Sequence, residues 1–388
     1  MPYCMWWTGR KGGKMKIVYN ILGTYNSGGM ERVLANKANF LAAEGYEVII
    51  ITTDQKGRKP YFDLDNRILQ IDLAINYTDD LESGLIAKFW NYRCRQSKHK
   101  NKLNKLLCKL ESDVVISMFD HDASFVHKIN DGSHKLLEIH FSRYKKLQYG
   151  RKGIWKILDR LRNEQDLRLA KKYDRFIVLT EEDRKYWGKL PNIAVIPNAN
   201  SFLVPVKAAL FHKRAIAVGR LDYQKGFDDL IKIWKIIHME HPDWILDIYG
   251  NGPLKQRLED LIHILDLQYN VKIHPATNDI QSAYMESSIY LMTSRYEGLP
   301  MALLEAQSCG LPMLSYACKC GPSDIISEGI NGFLINEGEV LCFADKLKQL
   351  IEDETLRKVM GTNAYAMSVL FSEAKVMQRW LNLFNNLV

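Results

Sequence analysis

The sequence predicts an α/β protein built from two Rossmann-like, doubly wound parallel-sheet domains facing a central cleft. Three observations lead there. At 388 residues the chain exceeds what one hydrophobic core usually organises, so two domains are expected. Short runs rich in Ile and Val alternate with longer segments of helical spacing, the signature of parallel strands buried on both faces. The series then occurs twice, on either side of a segment around 198–212.

The first series opens with an apolar strand at 17–22, a glycine-bearing loop at 23–29, a helix from Met30 to near Gly45, and a strand at 48–52. Further strands are expected at 113–118, 135–139, 175–180 and 193–197. The second series predicts strands at 215–219, 244–250, 270–275, 289–294 and 312–316. Its helices should begin near Phe227, Leu254, Asp279 and Pro300. The domains are therefore set at 15–200 and 206–371, with a last helix over 372–385 free to pack on either domain, so that residues 372–388 can return to the first. Residues 1–14 lack the apolar stretch and cleavage site of a signal peptide and are read as an extension outside the fold.

Composition narrows the class. Hydrophobic content of 47% and charged content of 25% describe a globular chain. No apolar run reaches the ~18 residues of a membrane span. The seven cysteines are odd in number and scattered, and Cys318 and Cys320 sit too close for zinc-site spacing. A reduced, cytoplasmic setting with no metal follows as the expectation. Charge divides the chain: residues 1–200 hold 35 Lys/Arg against 23 Asp/Glu (+12), and residues 201–388 hold 18 against 22 (−4).

Chemistry concentrates where strands end, since doubly wound sheets bind ligands at their carboxyl edges. In VGRLDYQKGFDDL (218–230), Arg220 and Lys225 flank a loop that opens into a helix. Two cations beside the unpaired N–H groups of a helix start suit a diphosphate. In YEGLPMALLEAQSCGLP (296–312), Glu297 and Glu305 stand eight apart, a spacing of two helical turns that puts both carboxylates on nearly one face. Pro300 is placed at the first helical position and Gly310 just past the end. Alone, that segment fits a capped core helix at least as well as a ligand clamp. Gly28 and Gly29, just before a helix, let backbone approach a ligand closely, although the loop is not GxGxxG. His140 follows a predicted strand, and a lone histidine there is as readily structural as catalytic. Asp63 and Asp65 spell a DxD, but no convincing strand precedes them and the match is set aside.

Taken together these segments resemble the retaining family-4 glycosyltransferases of the GT-B fold. The resemblance runs from Met15 to nearly the C-terminus and is strongest over TSRYEGLPMALLEAQSCGLPMLSYACKCGPSDIISEGINGFLI (293–335). VIPNAN, AVGRLDYQKGFDDLI and IYGNGPLKQRL add matches in order, with Ala199 standing where the family commonly has glycine. The CGPSDII stretch is most similar to bacterial enzymes of surface polysaccharide and lipid-linked oligosaccharide synthesis.

The resemblance implies a first domain that binds acceptor and a second that binds a nucleotide-sugar donor, with no cofactor and no metal. Arg220 and Lys225 then match the pair on the donor diphosphate, Glu297 the contact to the donor sugar, and Glu305 the ribose. Gly298, Leu299 and Pro300 would run along sugar and phosphates, Gly28 and Gly29 near the diphosphate, and Pro275 beside the base. His140 would lie near the transferred sugar. The implied reaction moves a hexose or N-acetylhexosamine from a nucleotide sugar, expected to be UDP-linked, to a glycan or lipid-linked acceptor.

The basic first half suggests where. Eight Lys/Arg and no acid fall between Gly84 and Leu110, interleaved with Leu85, Ile86, Phe89, Trp90, Leu103, Leu106 and Leu107, and a second basic run from Arg143 to Arg175 includes Trp155. Such segments suit an anionic membrane surface, or simply a solvated helix face; nucleic acid is not an expected partner. A peripheral enzyme on the inner face of the cell membrane is the expectation. The competing readings are a nucleotide-sugar epimerase of the same fold and a non-catalytic, membrane-associated binding module.

Overall fold

The structure is a computed structural model that describes residues 14–80, 85–145, 153–202 and 204–387. The extension read at 1–14 lies outside the described residues except for its last one.

The first sheet has seven strands: β1 (Lys16–Ile21), β2 (Glu47–Thr52), β3 (Leu69–Asp72), β4 (Val114–Ser117), β5 (His134–Glu138), β6 (Arg175–Val178) and β7 (Ile193–Val195). Their order is β3-β2-β1-β4-β5-β6-β7. The second sheet has six: β8 (Arg214–Val218), β9 (Ile245–Tyr249), β10 (Val271–His274), β11 (Ile289–Met292), β12 (Met313–Tyr316) and β13 (Gly332–Ile335), in the order β10-β9-β8-β11-β12-β13. In both sheets the order reverses beside the first strand, between β1 and β4 and between β8 and β11. The described strand pairs are parallel. The Rossmann-like α/β reading therefore holds for each sheet.

Two strands escaped the sequence reading. In β3 every residue is at least partly exposed, so LQID shows no apolar run. In β13 the Gly332 at its start interrupts the pattern; added carbon there would meet the Met313 carbonyl oxygen at 2.0 Å. Most predicted strands also ended one or two residues late, because the residues beyond them turn into loops at the carboxyl edge of the sheet.

The helices of the first half are α1 (Gly29–Ala43), α2 (Leu85–Leu110), α3 (Ile154–Ala170) and α4 (Glu181–Trp187). Those of the second are α5 (Phe227–Glu240), α6 (Lys255–Ile264), α7 (Ile280–Met285), α8 (Met301–Ser308), α9 (Pro322–Ile325), α10 (Val340–Glu352), α11 (Glu354–Ser368) and α12 (Glu373–Asn385). Amphipathic spacing decides which faces are buried: α5 turns Leu230, Ile231, Trp234 and Ile237 onto β8 and β9 residues such as Ala217, Leu246 and Ile248. On the opposite face Leu303, Leu304 and Ala306 of α8 pack with Tyr284, Tyr290 and Met313.

The chain clusters into two compact units. One extends to Glu138 and takes in Lys172–Phe176; the other comprises Ile139–Lys171 and everything from Ile177 onward, α12 included. Asn200 joins the segment before α12 by donating its backbone N–H to the Phe371 carbonyl (2.8 Å) and its amide to the Ser368 carbonyl (3.1 Å).

Candidate functional site

The carboxyl ends of β8 and β11 are neighbours whose chains leave in opposite directions, which opens a crevice between their loops. The loop from β8 carries Arg220 and closes as a short turn over Tyr223–Lys225, and Gly226 starts α5. Gly226 sits at φ 61, ψ 29 with its Cα facing the Thr293 carbonyl; a Cβ there would meet that oxygen at 2.2 Å. Only glycine meets both demands.

The β11 loop is laced to this turn. Thr293 Oγ1 donates to the carbonyls of Gly226 (2.9 Å) and Lys225 (3.1 Å). The Arg295 backbone N–H donates to the Gln224 carbonyl at 2.8 Å, and its guanidinium to the Tyr223 carbonyl (2.6 Å) and to Asp228 (3.0 Å). Gln224 answers with its amide, donating to the Tyr296 carbonyl at 2.9 Å.

These ties bring together two of the predicted residues. Lys225 Nζ donates to Glu297 Oε1 at 2.6 Å, with the lysine 19% and the glutamate 8% exposed at their side chains. Arg220 differs: its side chain is 69% exposed, and Nε donates to Asp222 Oδ2 at 2.6 Å. One cation is therefore buried against the predicted sugar-contact acid, while the other stands at the rim with four remaining N–H donors.

The two glutamates do not share a helix. Pro300 is the residue before α8, with extended backbone (ψ 112), and the helix runs from Met301 to Ser308. Glu297 lies in the preceding loop; the expected pair of carboxylates on one helical face is thereby corrected. The reason is local, because a proline disfavours helical backbone in the residue before it, so α8 does not extend back through Leu299 toward Glu297. Gly310 does fall just past the end, at φ 71. Glu305 is 5% exposed and accepts from the Tyr284 hydroxyl at 3.1 Å. Burial, then the Glu297 and Glu305 carboxylates, push the Tyr290 phenol well above its ordinary range, so a neutral hydroxyl lies near both acids.

Gly298 packs on the backbone of His140, where a Cβ would come within 2.5 Å of the His140 carbonyl oxygen. His140 and Phe141 thus belong to the second unit and lie against the glutamate loop. Leu299 is buried. Pro275 is exposed just beyond β10, next to His274, whose ring stacks on Tyr249 (4.5 Å) and whose Nε2 pairs with Asp247 at 2.7 Å.

Gly28 and Gly29 lie in the first unit at the start of α1. There the Glu31 carboxylate reaches back against Gly28, 2.3 Å from where a Cβ would be. An acid in the first turn already uses the positive end of that helix, which weakens the case for a diphosphate at this point.

Gln224, Thr293, Arg295 and Tyr284 were not among the predicted residues, although TSRYEG and YQKG carry three of them. Glu182 of α4 was also missed; it accepts from the Cys320 backbone (3.1 Å) and Ser323 hydroxyl (3.2 Å) and so holds the loop after β12. The DxD at 63–65 is a loop in which Asp65 is held by Arg67, which depresses its carboxyl to about 2. Among the described residues, the grouping with metal-ligand spacing is Glu240, His241 and Glu352 on the surface, where Lys348 already pairs with both acids.

Comparison with known proteins agrees with this architecture. Residues 209–367 match the family described as "Glycosyl transferases group 1", and residues 27–199 match "Glycosyltransferase Family 4". An uncharacterized glycosyltransferase of Haemophilus influenzae is 30% identical over 377 residues, covering 94% of this chain and 98% of its own. The amylovoran biosynthesis glycosyltransferase AmsD of Erwinia amylovora is 26% identical over 381 residues, 95% and 99% of the two chains. TarM of S. aureus, crystallised with Fondaparinux, alpha-GlcNAc-glycerol and UDP, superposes with a TM-score of 0.78 at 18% identity, covering 96% of this chain and 100% of that one. The chain belongs to the family-4 glycosyltransferases of the GT-B fold.

Proposed function

We propose that the protein is a retaining glycosyltransferase that takes a hexose or N-acetylhexosamine from a UDP-sugar, without a metal, and delivers it to a glycan or lipid-linked acceptor in bacterial polysaccharide or glycoconjugate synthesis. The observation that carries this reading is the Lys225–Glu297 pair, held at 2.6 Å where the second sheet reverses its order. The UDP in the TarM crystal and the amylovoran biosynthesis in the name of AmsD support the donor and pathway class.

The chemistry follows from charge. Glycosyl transfer develops positive charge on the sugar ring and negative charge on the departing diphosphate. Arg220 and Lys225 are assigned to that diphosphate, where their stabilisation grows as the bond breaks. Glu297 is assigned to the sugar hydroxyls and Glu305 to the ribose. The resting ion pair aims Glu297, and an arriving diphosphate competes for Lys225 and frees that carboxylate for the sugar. Gly298, Leu299 and Pro300 supply backbone along the donor, Pro275 flanks the base, and His140 lies near the transferred sugar through its packing on Gly298.

The membrane is proposed as the place of work. On α2, Lys88, Arg93, Lys98, Lys100, Lys102, Lys105 and Lys109 are exposed, with Trp90 and Tyr92 exposed near its start. Leu103 and Leu107, read as part of an interfacial face, are instead fully buried with His99, because residues four apart share the inward side. The side chains of Leu85, Ile86, Phe89 and Trp155 lie outside the described residues. On α3, Ile157 and Leu161 are exposed. Each cation near an anionic surface contributes about 1 kcal/mol, so the protein should float with anionic vesicles at low salt and be released by high salt.

The decisive experiment is a thermal-shift panel of UDP-, GDP- and ADP-sugars, followed by donor hydrolysis. A UDP-sugar should raise the apparent Tm and be hydrolysed slowly, with hydrolysis lost in Glu297→Ala. No stabilisation by any nucleotide sugar sinks the reading.

A further inference from the structure

The order of the first sheet reverses between β1 and β4, and that point also holds a cavity, of about 10 Å³. Its polar lining comes from four places: Asn20 at the end of β1, Thr53 just past β2, His99 of α2, and Asp120, His121 and Asp122 after β4. All belong to the first unit.

Asn20 is the anomaly. It is 3% exposed, and neither its amide nitrogen nor its amide oxygen has a hydrogen-bond partner. A buried amide left unpaired keeps its desolvation cost with nothing to offset it, and an interior strand position would ordinarily take Val or Ile. Asp122, 1% exposed, likewise has an unpartnered Oδ2 in the same cavity. Asp120 is nearer the opening, accepting the His121 backbone N–H at 2.8 Å, and the His121 ring stacks on Tyr77 at 3.8 Å with Tyr92 edge-on at 5.7 Å. The result is a small cavity with a polar floor, edged by His121 and the tyrosines packed on that ring.

The ligand class follows from size and polarity. The volume accepts one water-sized group. Among the described residues, these carboxylates and imidazoles do not form a group with ligand atoms within 4.8 Å of one another, which turns the reading from a cation to a hydroxyl. A hydroxyl both donates and accepts, as an amide and a carboxyl require, while a sugar ring offers an apolar C–H face to aromatic surfaces. We propose that Asn20, Asp120 and Asp122 seat one hydroxyl of a neutral sugar, with its ring against the edge formed by His121 and Tyr92, and that this sugar is the glycosyl acceptor. Burial and the neighbouring Asp120 carboxylate push the Asp122 carboxyl up to about 8, so it carries a proton at neutral pH and adds a donor to the floor. The acceptor role rests on the transferase reading above; the sugar site itself does not.

The test is saturation-transfer NMR on the full chain with methyl glycosides of glucose, galactose and N-acetylglucosamine, without nucleotide. At least one should bind, and Asn20→Leu and Asp120→Asn should each weaken it about tenfold or more, the scale of one lost hydrogen bond to a charged or buried group. Asn20→Leu should leave the Tm unchanged or raised, since it removes an unpaired buried amide at similar volume. Failure of every glycoside to bind overturns the proposal, as does binding that survives both substitutions. A lowered Tm in Asn20→Leu with binding intact also overturns it, because the amide then serves a buried water. Donor hydrolysis separates the two readings: its absence in the unaltered protein ends the transferase reading, while glycoside binding still decides the site.

Discussion

Each sheet has one point where its strand order reverses, and the two points are finished in opposite ways. In the second sheet the crevice between β8 and β11 is polar and largely saturated: Lys225 answers Glu297, Gln224 answers Tyr296, and Arg295 spans Tyr223 and Asp228, while Ser294 Oγ and Asp222 Oδ1 beside them have no partner. In the first sheet the corresponding place leaves Asn20 unpaired and Asp122 half-satisfied at under 5% exposure. A saturated site is preorganised, so its groups need little rearrangement when charge develops. An unsaturated one stores a cost that a ligand repays on arrival. The same topology thus provides a rigid electrostatic site on one sheet and a receptive polar pit on the other.

The largest effects should come from breaking the saturated site. Lys225→Ala and Arg220→Ala should each lower turnover roughly 10²-fold or more, the scale of one preorganised charge contact. They should differ in stability: Lys225→Ala leaves Glu297 buried without its cation and lowers Tm, whereas Arg220, at the exposed rim, should hardly change it. Equal thermal shifts for the two would contradict the division into a buried and a rim cation. Gly226→Ala should come next, costing roughly 1–3 kcal/mol from the positive φ alone, with further loss as the Thr293 carbonyl is pushed away. Its turnover should fall along with its melting temperature, because the displaced loop carries Glu297. Tyr284→Phe is gentler. It removes one donor from Glu305, so the donor KM should rise up to about tenfold with kcat little changed; a fall in kcat instead would place Glu305 in the chemical step.

Much of this architecture was legible because parallel strands buried on both faces leave long apolar runs, as at Val48–Ile51 and Val114–Ile116. β3 was hidden because an exposed edge strand has no such run. Arg220, Lys225, Glu297 and Glu305 were legible because charges beside strand ends and glycines stand out. Their companions were not: Thr293 and Tyr284 act through hydrogen bonds across elements, which no periodicity encodes. The Glu-x7-Glu spacing misled for a different reason, since it assumed helix on both sides of Pro300. Asn20 was invisible inside VYNIL, where one amide in an apolar strand looks like tolerance until its missing partners are seen.

The last expected effect separates the two reversal points by pH. The Asp122 carboxyl is raised, by burial and then by Asp120, to about 8 in the folded protein, against about 3.9 in an unfolded chain. A raised carboxyl binds its proton more tightly when folded, so its contribution is fully present below about pH 4. That contribution is lost as pH rises toward 8, where the folded protein must ionise Asp122 in a buried site. Asp122→Asn keeps the shape and removes the titration. The unaltered protein should therefore lose thermal stability relative to Asp122→Asn steadily between about pH 4 and 8, as read by melting curves of both across that range. Lys225→Arg, at the saturated site, should run parallel to the unaltered protein over the same window, because it retains a cation against Glu297. Parallel curves for Asp122→Asn as well would show that the floor of the first site is already solvated, and the contrast between the two sheets would then reduce to burial alone.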